Sequence, residues 1–356
     1  MKIGIAGTGI IGRLLAFYLA QIATEVVLFD KVSRDGLKSC SMTAAGLLAP
    51  LAEVETSELL LAKLGSYSIP RWQEIIADLQ QPVYFQQSGV ITVAHPQDRA
   101  EFDKLVTHLQ AKGIAKDDYQ QWSQDQLQQH EPELATHFDR ALYISKEAHL
   151  SPADLMHALE NALSSIKNIT WHTETMVTAV EPGQITTATD CFAFDTVFDC
   201  RGLGAKENLP DLRGVRGEII WLDAPEVHLY HPIRLLHPRH PIYIVPHGGH
   251  RYVLGASFIE SEDFSPISLR TALELLSGAY SIHSGFAEAR ITNTFVNCRP
   301  ALPNHLPRII VKKGIISING LYRYGYSVAP ALLDDVIAIV KGEMEKIRFP
   351  EVIQIF

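Results

Sequence analysis

The sequence predicts an α/β fold in which a domain with a parallel sheet joins an α+β domain built on a large antiparallel sheet. Three observations predict it. The chain opens with a complete β-α-β unit; residues 215–255 read as mostly strand, punctuated by prolines and glycines; and 356 residues exceed one ordinary core, which points to two domains.

The opening unit comes first. Lys2-Ile3-Gly4-Ile5-Ala6 is short, apolar and glycine-bounded, as suits a buried parallel strand. Residues 10–23 read as a helix and residues 25–30 as a second strand. Between the first strand and the helix runs Gly7-Thr8-Gly9-Ile10-Ile11-Gly12. Gly7 is expected to make the tight turn, Gly9 to let a pyrophosphate approach the backbone, and Gly12 to let helix and strand pack closely. The helix start offers free N–H groups and a positive dipole end to phosphates. Asp30 stands where an acid accepts hydrogen bonds from the hydroxyls of an adenosine ribose. Strand, helix and acid together make the unit Rossmann-like and predict a dinucleotide site. An aspartate there disfavours a 2′-phosphate, which points to FAD or NAD rather than NADP.

The polar turn after Asp30 leads into a run of small residues at 39–50, SCSMTAAGLLAP. Such a run suits backbone lying against something large and flat, and it equally suits a tightly packed helix start. Residues 58–79 show helical spacing of apolar side chains, with a break expected at Pro70. Residues 83–85 and 89–93 look like two strands of a hairpin. Residues 99–112 predict an amphipathic helix, and the glutamine-rich stretch 117–133 a short surface helix with loops. Ser151-Pro152 is a helix start, with serine as N-cap and proline in the first turn, for a helix over 153–166. Strands follow at 169–172 and near 176–180. Residues 194–200 form a buried-looking strand that runs into Arg201-Gly202-Leu203-Gly204. Those glycines would let the chain return to the cofactor with its backbone, a return that favours FAD over NAD. Residues 269–287 read as mostly helical. A strand at 314–319, a glycine-rich turn at 320–330 and a last helix at 331–341 complete the chain. That helix is expected to start at Pro330 and to point its free N–H groups at a flavin.

Composition narrows the function. Hydrophobic residues at 47% and charged residues at 20% give the balance of a globular protein rather than a disordered one. A formal net charge of −9, with no basic run, argues against nucleic-acid binding. Cys40, Cys191, Cys200 and Cys298 are scattered without a CxxC pair, which fits reduced thiols in a cytoplasmic protein. The apolar start is broken by glycines and Arg13, unlike a signal peptide, and no stretch approaches an uncharged membrane span. Histidines cluster between His228 and His250 without HxxxH or HExxH spacing, so no metal is expected. Neither a GxSxG elbow nor a cysteine nucleophile beside a base is evident.

Several segments, in this order and spacing, resemble the D-amino-acid oxidase superfamily of FAD enzymes over nearly the whole chain. They are GTGIIG with Asp30, SMTAAGLLAP, CRGLG at 200–204, GVRGEI at 214–219, YIVP at 243–246, VLGAS at 253–257, CRPALPNHLPRI at 298–309 and GLYRYGYSVAP at 320–330. The glycine oxidase (ThiO) branch, tied to thiamine biosynthesis, is the most similar. Two positions depart from the family pattern: Asn304 replaces a common aspartate, and Phe258 stands where some members have methionine.

The resemblance implies FAD as cofactor and a discontinuous FAD-binding domain over residues 1–80, 146–214 and 296–356. Residues 81–145 and 215–295 would then form the substrate domain. Cofactor contacts are implied at Gly7, Gly9, Ile10, Ile11, Gly12, Asp30 and Lys31. Others fall at Thr43, Ala44, Ala45, Gly46 and Leu47, and at Val177, Gly202 and Gly204. A last group comprises Arg299, Arg323, Tyr324, Gly325, Tyr326 and Ser327. For catalysis, Arg299 matches the arginine that grips a substrate carboxylate through two parallel charge-assisted hydrogen bonds. Tyr243 matches a tyrosine that helps hold the same carboxylate, Arg323 an arginine beside flavin and substrate, and Phe258 a wall of the pocket. The implied activity is oxidative deamination of glycine, or a small amine or D-amino acid, to the 2-oxo acid, ammonia and hydrogen peroxide. Alternatives are a D-amino-acid dehydrogenase with a non-oxygen acceptor and an FAD module acting on modified tRNA, which the acidity disfavours. Expected partners are a small amino-acid substrate and molecular oxygen, with neither nucleic acid nor membrane. Self-association into a homo-oligomer is compatible with the sequence.

Overall fold

Three elements at the N-terminus set the frame: β1 (Lys2–Ala6), α1 (Ile10–Leu19) and β2 (Glu25–Phe29). The computed structural model describes residues 1–55 and 57–356. β1 and β2 pair in parallel, Ile3 opposite Val26 and Ile5 opposite Leu28, and β1 also pairs in parallel with Thr196–Asp199. These three strands lie side by side inside a seven-stranded sheet. From one edge it runs Ile353–Ile355, Arg308–Lys312, Ile315–Asn319, Thr196–Asp199, β1, β2 and Ile169–His172. Arg308–Lys312 and Ile315–Asn319 are antiparallel; the other neighbours run parallel. Both faces are covered, which is why the inner strands read as continuous apolar runs. On one face lie α1, α2 (Leu59–Leu79), Pro152–Ser165 and Gly325–Lys341, packed through Leu14, Trp72, Leu155 and Leu332. The other face takes a small antiparallel sheet of Val177–Glu181, Gln184–Thr187 and Cys191–Ala193 against Phe29, Val197 and Phe194.

The second large sheet has eight strands in the order Arg290–Ala301, Arg213–Asp223, Arg251–Gly255, Ile242–Pro246, Ile233–Leu236, Val90–Ala94, Arg140–Ile144 and Gln120–Ser123. All pairs are antiparallel except Ile233–Leu236 with Val90–Ala94. Its two longest strands, Arg213–Asp223 and Arg290–Ala301, pair along nearly their whole length and carry residues 215–217 and 297–299 to the boundary with the parallel sheet.

Several local expectations change. α2 runs through Pro70 instead of breaking there. The carbonyl that Pro70 leaves without a helical partner belongs to Ser66, and both residues are exposed, so water can serve it. The two strands read as a hairpin separate at Gly89 (φ +82°): Phe85–Gln86 pairs with Ala148–Leu150, whereas Val90–Ala94 enters the eight-stranded sheet. The glutamine-rich stretch contains the strand Gln120–Ser123 before its helix Gln124–His130, which Ser123 and Gln126 close with a capping box. Residues 39–50 form turns and the short strand Leu47–Leu48, not a helix start. α1 stops at Leu19, and the strand Arg290–Ala301 is longer than any pattern there suggested.

The last helix begins at Gly325, not at Pro330. Pro330 lies inside it and cannot donate to the carbonyl of Tyr326. The indole N–H of Trp72 on α2 donates to that carbonyl instead, at 2.8 Å. A defect in one helix is thus satisfied by a side chain of its neighbour.

Candidate active site

The first turn is built by close backbone approach. Gly7 has φ +94°, and a Cβ there would lie 2.4 Å from the carbonyl oxygen of Cys200. A Cβ on Gly12 would lie 2.0 Å from the carbonyl oxygen of Gly7, so Gly12 packs α1 against the turn and does not line the cavity. Gly9 is different: the nearest group to its missing Cβ is Ser41 Oγ at 3.3 Å, leaving open cavity before the backbone. Asp30 braces this turn with Oδ2, accepting from the Thr8 N–H at 2.5 Å and the Thr8 hydroxyl at 2.8 Å. Its Oδ1 accepts from the Val32 N–H at 3.1 Å. Ser41 Oγ accepts the Ile10 N–H at 2.9 Å, which uses one of the donors at the start of α1. Arg13, fully buried on α1, donates to the carbonyls of Thr8, Met156 and Arg34 and so rivets the turn to its surroundings. Burial lowers its pKa from the ordinary value, and those carbonyls offset the cost of burying the charge.

From this turn a cavity of about 370 Å³ extends to the eight-stranded sheet. Along it lie Gly7, Gly9, Ile10, Ile11, Asp30 and Lys31, then Thr43, Ala44, Ala45, Gly46 and Leu47, with Val177, Gly202 and Gly204. Arg299, Arg323, Tyr324, Gly325, Tyr326 and Ser327 line its other end, together with Tyr243 and Phe258. Of the residues singled out in the sequence, Gly12 alone stands off the wall. The small-residue run follows the cavity because its backbone must come close: Gly46 has φ +75°, and a Cβ there would lie 1.9 Å from the carbonyl oxygen of Leu150. Tyr326 ties the start of the last helix to this run by donating to the Ser41 carbonyl at 2.8 Å. Asn319 does the same for the 200–204 segment, donating to Gly202 at 2.9 Å. Among the described residues no side chain caps the helix Gly325–Lys341, and its first residues line the cavity, so its positive end faces that space. The open backbone at Gly9, the acid at Asp30 and this long two-ended cleft fit a dinucleotide such as FAD.

At the far end, two polar side chains rely on glycines of neighbouring strands. The Arg299 guanidinium passes over Gly217, where a Cβ would lie 2.1 Å from Nη2. The Tyr243 phenol passes over Gly255, its partner in the ladder, where a Cβ would lie 2.4 Å from the hydroxyl. Arg299 Nη1 donates to the Ser257 carbonyl at 3.0 Å. Burial, the largest influence, pushes the Tyr243 hydroxyl up to about 12, against the opposing charge of Arg299. Tyr243 is therefore a hydrogen-bond donor at neutral pH. Both guanidiniums lie against the Phe258 ring, Arg299 at 5.1 Å and Arg323 at 5.0 Å from its centroid. Glu53, which the sequence reading missed, lines the same end with Oε2 3.5 Å from Arg323 Nε. Burial would by itself lower the Arg323 pKa, but the Glu53 charge holds it above its ordinary value. Glu53 has no motif to betray it; Gly217 and Gly255 could have been noticed within GVRGEI and VLGAS.

The clustered histidines disperse. His231 meets Glu131 at 2.6 Å, His228 and His283 meet Glu133, and the ring of His247 lies 3.0 Å from the Ala45 carbonyl oxygen. Among the described residues no group of three or more His, Cys, Asp or Glu side chains could hold a metal ion, and no helix is long and apolar enough to cross a membrane.

Comparison with known proteins bears on this geometry. The family model described as DAO, FAD dependent oxidoreductase, matches residues 2–333. A Rhizobium etli protein described as a candidate thiamine biosynthesis oxidoreductase, ThiO, is 35% identical over 336 residues, covering 94% of this chain and 95% of that one. The glycine oxidase of Geobacillus kaustophilus is 26% identical over 346 residues, covering 92% and 89%. The crystal structure of that glycine oxidase superposes with a TM-score of 0.82 over 96% of this chain and 94% of its own, at 23% identity. The structure of iminodiacetate oxidase from Chelativorans sp. BNC1 superposes with a TM-score of 0.84 over 99% of both chains, at 22% identity. At those identities the two structures speak for the fold, whereas the family match and the R. etli relative speak for kinship. The chain belongs to the DAO family of FAD-dependent oxidoreductases.

Proposed function

We propose that this enzyme oxidises glycine, or another small amino acid, to the 2-oxo acid, ammonia and hydrogen peroxide. On this reading residues 1–80, 146–214 and 296–356 hold FAD, and residues 81–145 and 215–295 build the substrate side. One observation carries the proposal. The Arg299 guanidinium faces the cavity beside the protonated Tyr243 hydroxyl and, among the described residues, has no carboxylate within ion-pair distance. Such a pair suits a substrate carboxylate: the arginine fork donates two hydrogen bonds to it, and the phenol donates a third. FAD, when bound, takes two electrons from the substrate. The protein's own part is to hold the carboxylate so that the α-carbon is turned towards the cofactor, which Phe258 walls in. The positive end of the Gly325–Lys341 helix favours negative charge in the same cavity. The G. kaustophilus relative, a glycine oxidase, supports glycine as substrate, and the R. etli relative, described as a candidate thiamine biosynthesis oxidoreductase, supports a role in thiamine biosynthesis.

The test is binding and turnover in the FAD-loaded enzyme. Glycine should bleach the flavin without oxygen and yield peroxide with it. Arg299→Ala should weaken apparent glycine affinity by on the order of 2–5 kcal/mol, because the clamp loses its charged partner. An unchanged affinity would remove Arg299 from the substrate site.

A further inference from the structure

The substrate end of the cavity holds more positive charge than one carboxylate needs. Arg299 and Arg323 both lie about 5 Å from the Phe258 ring centroid, so both address the same small volume. Their neighbours differ. Arg299 donates to a neutral carbonyl, that of Ser257. Arg323 has the Glu53 carboxylate 3.5 Å from its Nε, and both side chains are largely buried. In a water-poor pocket such a pair presents little net charge, while Arg299 presents a full one.

We propose that Glu53 sets the number of carboxylates the site accepts, cancelling Arg323 so that the pocket takes monocarboxylate amino acids and turns away those with a second carboxylate. This rests on the reading that Arg299 clamps a substrate carboxylate. A second carboxylate directed at Arg323 would come up beside Glu53, and like charges forced together at a desolvated site repel. Glu53 is thus a specificity residue acting partly by repulsion. Its carboxylate needs no proton transfer to do so.

The charge can be removed without changing size. In the FAD-loaded enzyme, Glu53→Gln is compared with wild type on glycine and on iminodiacetate, the latter carrying two carboxylates on one amine. Equilibrium binding of acetate and malonate, followed by calorimetry, supplies a readout independent of turnover. Glu53→Gln should raise the ratio of kcat/KM for iminodiacetate over glycine at least about tenfold, and the malonate-over-acetate affinity ratio in the same direction. Glu53→Asp, which keeps the charge, should hold the wild-type ratios. Adding Arg323→Met to Glu53→Gln should abolish the gain. If Glu53→Gln depresses both substrates equally with both ratios unchanged, Glu53 merely supports the fold and the inference falls. If wild type oxidises no amino acid, the proposed function falls instead, and the malonate-to-acetate shift still decides whether Glu53 counts charges.

Discussion

Glu147 shows how a single carboxyl can be buried behind the site. It is 1% exposed, and its Oε1 accepts the N–H groups of Leu51 and Ala52 at 2.7 and 2.8 Å, just before Glu53. Its Oε2 is buried and has no hydrogen-bond partner among the described residues. Burial, the largest influence, raises its pKa from 4.5 to about 8, although those two N–H groups pull it down. The folded protein therefore keeps a proton that the unfolded chain releases. Stability should fall as pH rises from about 4.5 to about 8 and level off above, because the native state binds more protons across that window. Glu147→Gln, which mimics the protonated acid while keeping its acceptor, should flatten that segment of the Tm-against-pH curve. A variant curve parallel to wild type between pH 5 and 8 would mean that Glu147 is ionised in the fold. Glu147 was invisible in the sequence, since nothing in Lys146-Glu147-Ala148 announces that it will be enclosed.

At the scale of elements, the contact between α2 and the last helix turns on a hydrogen bond that neither helix supplies by itself. A proline inside a helix removes one N–H and costs about 3 kcal/mol, so reading Pro330 as a helix start was sound local reasoning. Tertiary packing overrode it: Trp72, fully buried, donates its indole N–H to the Tyr326 carbonyl. The same packing lets the helix begin at Gly325 and turn its first residues towards the cavity. Trp72→Phe should destabilise the protein by about 1–3 kcal/mol from the orphaned carbonyl alone, beyond the lost volume. Pro330→Ala restores a backbone donor, so the cost of Trp72→Phe measured by urea unfolding should shrink when both changes are made. Costs that simply add would show that the carbonyl is served otherwise. The β-α-β unit formed where its sequence foretold, with α1 shorter than expected, because the spacing of Gly7, Gly9 and Gly12 meets purely local demands of turn, open backbone and close packing.

Across the whole molecule, buried neutral histidines stand where the short strand Ala148–Leu150 comes up against the eight-stranded sheet. His149, fully buried on the strand Ala148–Leu150, and His247, just past Ile242–Pro246, stand with ring centroids 6.4 Å apart. Burial, first in each case, lowers them from 6.5 to about 3 and about 4. Here the unfolded chain binds the extra protons, so stability should fall as pH drops from about 6.5 towards 4. His149→Gln should shallow that acid limb by about one proton, read from unfolding free energies at stepped pH. An unaltered limb would place the titration elsewhere. The sequence by itself determined the parallel sheet with its glycine turn and the large antiparallel sheet, because strand periodicity and glycine spacing act over a few residues; most of the segments that line the cavity were legible only through the family resemblance. Only the tertiary structure decided that Gly217 makes room for Arg299, that Glu53 meets Arg323 and that Trp72 mends the helix at Pro330. Each joins residues far apart in the chain, and a contact of that kind exists only once burial has fixed both partners and taken away the water that would otherwise serve them.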